Sequence, residues 1–179
     1  MHIQTHIMSG WCFGNLFGLG RRERTLCILA GSLYDLDGLG IIFGPVAYWK
    51  YHHVLGHNLA AGLLVSAVLT YFSKQRLRAF IAYLSLFHIH MLMDYLGSGE
   101  DWSITYLWPF SNWTVQFPYA WPFYSWQNLG TAFCFILWTL AIIIFQKRTP
   151  LELVMPSLDS KIIKLVQKLK MKAQKDKAS

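Results

Sequence analysis

The chain has 179 residues, of which 54% are hydrophobic and only 14% are charged. Soluble globular domains carry about 25% charged residues and disordered chains are far less apolar, so this composition excludes disorder and disfavours a soluble enzyme. The net charge is +7, but its basic clusters separate hydrophobic runs, a pattern typical of membrane topology rather than of nucleic-acid binding. We therefore expect an integral membrane protein that has no nucleic-acid partner.

Five apolar stretches approach the roughly 20 residues that cross a bilayer. They are residues 3–20, 25–44, 54–72, 77–96 and 128–145. The first stretch is the weakest, because it is short and rich in glycine. The sequence thus predicts an all-α polytopic membrane bundle of about five apolar helices, followed by a C-terminal amphipathic basic helix.

Positive charges predict the orientation of these helices. Successive spans cross the membrane in alternating directions. If Arg21, Arg22 and Arg24 face the cytoplasm, fifteen of the sixteen Lys and Arg residues are cytoplasmic and Lys50 alone lies on the outer side. We therefore expect the N-terminus outside and the C-terminal tail in the cytoplasm. The outer loop 97–127 is rich in aromatic residues and prolines, which favours either an interfacial belt or a lid over an amphiphilic substrate.

The chain divides into a membrane-embedded region, 1–150, and a basic tail, 151–179. In the tail, Ile162, Leu165, Val166 and Leu169 follow helical spacing and lysines occupy the other face. Such a helix is suited to the anionic cytoplasmic leaflet, so membrane lipids are expected partners. The three cysteines have no metal or disulfide spacing, and we interpret them as small core residues.

Histidines and aspartates fall inside these apolar stretches, where an ionisable group costs several kcal/mol unless it has a partner or a function. The predicted topology brings them to a similar depth near the outer face; they are His6, Asp35, Asp37, His52, His57, His90 and Asp94. His90 and Asp94 are four residues apart, so both can reach one ion from the same helical face. Imidazole and carboxylate ligands favour zinc or another divalent transition metal, in a site with one or two ions.

Other polar residues have plainer interpretations. We expect His2 to belong to a frayed terminus, His88 to face away from His90, and Glu100 and Asp101 to be solvated in the loop. The sequence allows two interpretations of His53. It is either a partner of His57 at i, i+4 spacing or a surface residue at the level of the lipid headgroups.

Four short motifs, in order, resemble the YdjM-like family of membrane-bound metal-dependent hydrolases. They are Thr5–His6, YDLD at 34–37, HHVLGHN at 52–58 and HMLMDYLGSG at 90–99, followed by WPFS at 108–111. Tyr34 stands where the family has proline, and His53, Val54, Gly56 and Asn58 stand where it has Arg, Gly, Thr and Ser. The order of ligands is also similar to that of zinc-dependent phospholipase C, although the third metal site of those enzymes would be missing here.

The resemblance implies a bacterial inner (plasma) membrane protein that hydrolyses a phosphoester in a lipid or membrane-linked substrate. Asp35, His57, His90 and Asp94 would hold one cation, zinc being favoured, and Asp94 would bridge to a second cation bound by His6. Asp37 and His52 would orient these ligands, add to them, or act as general base. The alternatives are an ion or metal transporter, a non-catalytic metal-binding membrane protein, or a haem protein with axial histidines.

Overall fold

The computed structural model describes residues 1–176 and is helical over most of that length. Its α-helices are α1 (Ile3–Gly14), α2 (Arg21–Ser32), α3 (Pro45–Tyr51), α4 (Leu59–Tyr71), α5 (Arg76–Gly97), α6 (Trp126–Ala141) and α7 (Pro156–Asp176). A 3-10 helix, Leu33–Phe43, continues α2, and one π-helical turn, Ile142–Gln146, continues α6. Within residues 1–176 there is no strand, only an isolated antiparallel bridge between Ile104 and Val115. The predicted all-α architecture is therefore confirmed for this part of the chain.

Three helical segments of the described chain are long and apolar enough to cross a membrane. They are Arg21–Phe43, Arg76–Gly97 and Trp126–Gln146. The count of about five apolar helices is not confirmed, because α1 has 12 residues and α4 has 13. At 1.5 Å per residue each is about 20 Å long or less, short of the roughly 30 Å hydrocarbon core.

α1 packs against α2 through glycines rather than large side chains. A Cβ atom on Gly31 would lie 2.9 Å from the His6 carbonyl oxygen and 3.0 Å from the Gly10 Cα. Only residues without a side chain allow two backbones to come this close, a means by which membrane helices associate. The contact brings His6 of α1 beside the end of α2, where the histidines and aspartates gather.

The opposite end of the bundle, near the arginines at 21–24, has its own buried ion pair. Arg24 on α2 donates from Nε and a terminal nitrogen to both carboxylate oxygens of Glu152, at 2.8 and 2.6 Å. Above this pair, α2, α4 and α5 bury an apolar cluster that includes Ala30, Leu69 and Leu86. The pair fixes the segment before α7 against the start of α2.

The predicted basic tail helix is present as α7, with no buried residue in its described length. Leu165 and Leu169 are each 58% exposed, so the apolar face that the sequence predicted is available to a membrane surface. Residues 177–179 of the predicted tail, including Lys177, lie outside the described residues. The role of the tail as an anchor stays a prediction, as does the division of the chain at residue 150.

The interpretation of all three cysteines as core residues is wrong for Cys134. Cys12 and Cys27 are fully buried, whereas Cys134 is exposed. It lies on the side of α6 that other helices leave uncovered, and this side is apolar because it suits lipid rather than a protein core.

Candidate metal centre

Histidines and aspartates from four parts of the chain meet at one end of the bundle. α1 contributes His6, the 3-10 helix contributes Asp35, and α5 contributes His90 and Asp94 one turn apart. Their ligand atoms lie within 4.8 Å of one another. His57 joins them from the turn before α4. His6, His57, His90 and Asp94 are each no more than 1% exposed, so their polar atoms depend on partners inside the protein rather than on bulk water. His6 Nδ1 has no such partner.

The turn that carries His57 is ordered by the cap of α4. Asn58 accepts a hydrogen bond from the Ala61 N–H at 2.8 Å, which caps the helix, and its amide donates to the Val54 and Leu55 carbonyls at 2.7 and 2.9 Å. Asparagine is a favoured N-cap because its side-chain oxygen satisfies a free helix N–H. The cap therefore fixes the backbone next to His57.

Hydrogen bonds fix which nitrogen of each neutral imidazole carries the proton. His90 Nδ1 lies 2.9 Å from the Gly31 carbonyl oxygen, which only accepts, so Nδ1–H is the donor. His57 Nδ1–H likewise donates to Asp37 Oδ2 at 2.9 Å. In both neutral rings the Nε2 atom then presents a lone pair to the interior of the site. Metal-ligating histidines are usually oriented by such a second hydrogen bond.

These two lone pairs converge with two carboxylates. His57 Nε2 and His90 Nε2 are 3.1 Å apart, and Asp94 Oδ2 lies 3.2 and 2.9 Å from them. Asp35 Oδ1 lies 3.7 Å from each imidazole nitrogen. Two ligands about 2.1 Å from a tetrahedral ion are roughly 3.4 Å apart, so these five separations are close to those expected between ligands of one metal ion. Four electron-pair donors that face one another are stabilised by a cation between them.

The surroundings of His57 also favour a positive charge. Burial opposes the charged imidazolium, but the carboxylates of Asp35, Asp37 and Asp94 around the ring hold the pKa of His57 well above its ordinary value. A group of this kind binds a proton or a metal cation in competition, because both occupy the imidazole lone pair.

The second oxygen of Asp94 faces a different set of groups. His6 Nε2 lies 3.1 Å from Asp94 Oδ1, and the Ser98 hydroxyl donates to the same oxygen at 3.1 Å. The Met1 amino group also contacts it. Asp94 thus presents one oxygen to His57 and His90 and the other to His6, the arrangement that a carboxylate bridging two cations would need.

Asp37 lies just behind His57 and accepts three hydrogen bonds. The donors are His52 Nδ1–H at 2.7 Å, His57 Nδ1–H at 2.9 Å and the Gly56 backbone N–H at 2.9 Å. None of these three donor atoms is among the four converging atoms of the centre, since His57 uses Nδ1 here and Nε2 there. In this position Asp37 orients His57, and His52 is connected to the site through Asp37.

A small cavity of about 50 Å³ opens beside the centre. Its lining includes Asp35, His52, His53 and Ser98, and aromatic rings complete the wall; these are Tyr48, Trp102 and Phe123. One water occupies about 30 Å³ in the liquid, so the cavity has room for one or two water-sized groups next to the Asp35 carboxylate. A reacting group could reach the centre from this cavity, whereas a larger molecule would remain mostly outside.

His53 belongs to this site, although the sequence left its position open. Its side chain is buried, and its ring stacks on that of His57 with the centroids 4.3 Å apart. Burial, and then repulsion from His57, holds the pKa of His53 well below its ordinary value. The i, i+4 spacing from His57 was the one sequence signal for this placement.

His88, Glu100 and Asp101 lie outside the site, as the sequence predicts. His88 is exposed and hydrogen-bonds to the Leu84 carbonyl and the Tyr106 hydroxyl, away from His90. Glu100 and Asp101 are exposed in the loop. His2 differs from expectation, since its ring packs against that of Phe123 with the centroids 4.0 Å apart instead of fraying.

Comparison with known proteins agrees with an inner-membrane setting for this site. No curated protein and no solved structure is detectably similar to the chain. A protein-family model does match, and it spans residues 1–169, which includes every histidine and aspartate of the centre and most of α7. With its membrane-capable helices and its buried His/Asp clusters, the chain belongs to the YdjM inner membrane protein family.

Proposed function

We propose that this protein is a membrane-bound, metal-dependent hydrolase that cleaves phosphoester bonds in a lipid or membrane-linked substrate. The observation that carries the proposal is the convergence of the His57 and His90 Nε2 lone pairs with Asp35 and Asp94, within 2.9 to 3.7 Å, beside a cavity. A purely structural cluster has no need of a cavity next to it. Catalytic metal sites keep an open position for water or substrate.

The donor set suits a divalent cation, and zinc is the favoured metal. Two imidazole nitrogens and two carboxylate oxygens are common zinc ligands, and the described cysteines lie outside the clusters of possible ligands. His57, His90, Asp35 and Asp94 would hold the ion. His6, with the other oxygen of Asp94, would hold a second one. Such a cation lowers the pKa of bound water toward 7 and stabilises negative charge on a phosphoryl group.

The chain's own residues would supply orientation and proton transfer. Asp37 holds His57 in the tautomer whose Nε2 is free, through the 2.9 Å hydrogen bond to Nδ1. His52, whose ring lines the cavity and donates to Asp37 at 2.7 Å, lies where it could exchange a proton with a bound molecule. Asp37 and His52 are therefore the candidates for general-base catalysis, and the aromatic wall limits the access of water.

A hydrolase accounts for the position of the site better than a transporter does. The His/Asp groups lie at one end of the bundle, and an apolar cluster separates them from the Arg24–Glu152 ion pair at the other end. None of the possible metal-ligand clusters among the described residues includes a residue of that other end. A translocation path would need polar groups along its whole length. Uptake of zinc into liposomes that contain the protein would support the transporter alternative. A bound metal without turnover of any phosphoester would support a non-catalytic role.

The test is hydrolysis of the phosphodiester bis(p-nitrophenyl) phosphate by purified full-length protein in detergent. Activity should disappear when a chelator removes the metal, return when zinc is added, and be lost in Asp94→Asn. Asp101→Asn, which changes an exposed carboxylate, should behave like the wild type. Full activity in metal-free protein would refute the proposed mechanism.

A further inference from the structure

His53 combines three features that a merely structural histidine does not need. Its φ angle is 64°, in the left-handed region. Its side chain is 2% exposed. Its Nδ1 atom is buried without a hydrogen-bond partner. The left-handed region is unfavourable for residues with a Cβ atom, and a buried polar atom without a partner costs further free energy.

A glycine at position 53 would avoid both costs, because glycine adopts this backbone conformation freely and has no side-chain nitrogen to bury. Backbone strain that persists in a folded protein is concentrated at functional sites, so an observed outlier is a reason to look for a function. The ring is held in place by its neighbours: it stacks on His57 at 4.3 Å, contacts His52 at 4.6 Å and lies 5.2 Å from the Trp102 ring, centroid to centroid. His53 is thus preorganised, and it lines the 50 Å³ cavity beside Asp35 and Ser98.

We propose that His53 is a substrate-binding residue whose imidazole N–H donates to an oxygen of the phosphoryl group in the cavity. This inference rests on the proposed function, since it names the chemistry that the same site recognises. The carboxylates of the centre only accept hydrogen bonds, so an anionic substrate needs a hydrogen-bond donor from another residue of the cavity. His53 lines the cavity, and its Nδ1 atom has no hydrogen-bond partner within the protein.

A neutral imidazole donates one hydrogen bond without adding a positive charge beside a metal cation. The competing assignment is that His53 is itself a metal ligand, because one of its nitrogens lies within 4.8 Å of ligand atoms of His57 and Asp94. The two assignments differ in what happens to the bound metal when the ring is removed.

The test measures zinc content and binding of inorganic phosphate by calorimetry, on zinc-loaded full-length protein in detergent. The variants are His53→Gly and His53→Asn, both of which tolerate the left-handed backbone and should therefore fold. His88→Gln is the matched control, because His88 is an exposed histidine outside the site. We expect both His53 variants to keep the wild-type zinc content and to bind phosphate roughly tenfold more weakly, as for the loss of one hydrogen bond to a charged group.

Wild-type phosphate affinity in either fully loaded His53 variant would overturn the inference, and so would the absence of phosphate binding by the zinc-loaded wild type. Loss of zinc from both variants would overturn it in favour of a ligand role. These failures are distinct from failure of the proposed function, which would appear as the absence of zinc-dependent hydrolysis in the wild type itself.

Discussion

Replacing Asp37 by Asn should weaken zinc binding without unfolding the protein. The Asp37 carboxylate is 2% exposed and accepts three hydrogen bonds. An amide oxygen in the place of Oδ2 can still accept from His57 and Gly56, and its NH₂ can donate to His52 once that ring adopts its other tautomer. What is lost is the negative charge that raises the basicity of His57. Partners of this kind are worth about 10–100-fold in metal affinity, or roughly 1.4–2.8 kcal/mol.

The assay is a zinc competition titration against a chromophoric chelator, with thermal unfolding of the apo-protein as the check on folding. Asp37→Asn should raise the zinc Kd by at least about tenfold, with little change in the unfolding temperature of the apo-protein. Asp101→Asn, in the exposed loop, is the control and should leave the Kd unchanged. Equal zinc affinity in Asp37→Asn and the wild type would refute the role of Asp37 in orienting His57.

Three further predictions concern the fold and its orientation. Gly31→Ala should destabilise the protein by about 1–3 kcal/mol, because its Cβ would meet backbone atoms of His6 and Gly10 that cannot move aside; a wild-type unfolding temperature in detergent would contradict this. Glu152→Gln should cost about 3–5 kcal/mol by leaving the buried Arg24 charge without its partner, and thermal unfolding would again measure it. A fluorescent protein fused to the C-terminus should be fluorescent in bacteria, since we propose a cytoplasmic tail, whereas an active periplasmic reporter at the same position would contradict that orientation.

The sequence predicts the residues of the candidate site best where ionisable side chains interrupt apolar stretches. Ionisable side chains inside apolar stretches are costly, and this alone selected the residues that the structure brings together at one end of the bundle. The i, i+4 spacing of His90 and Asp94 predicts that they share one face of a helix, and both lie on α5 with His90 Nε2 and Asp94 Oδ2 2.9 Å apart. Their role as metal ligands stays a prediction.

Hydropathy gave a poorer account of helix length. The stretch 3–20 has suitable composition, but α1 ends at Gly14, because the glycines beyond it do not sustain a helix. Residues 33–43 adopt a 3-10 rather than an α-helical path, and this irregular backbone carries Asp35 and Asp37 into the site. Neither departure follows from apolar content, because hydropathy does not specify the conformation of the backbone.

His53 shows a different limit of the sequence. Its spacing from His57 allowed a pairing on one helical face, but the two residues lie in a turn before α4, and their rings meet because His53 adopts a left-handed backbone. Sequence patterns encode regular periodicities. They do not encode a single unfavourable φ angle that tertiary contacts impose.

Elemental analysis of purified protein tests the central claim most directly, namely that the His/Asp cluster holds a cation. The wild type, isolated from zinc-replete cells, should contain at least one zinc per chain, and His90→Ala and Asp94→Ala should each lose it while His88→Ala retains it. A wild type without stoichiometric metal, or a metal content that both variants retain, would contradict the account.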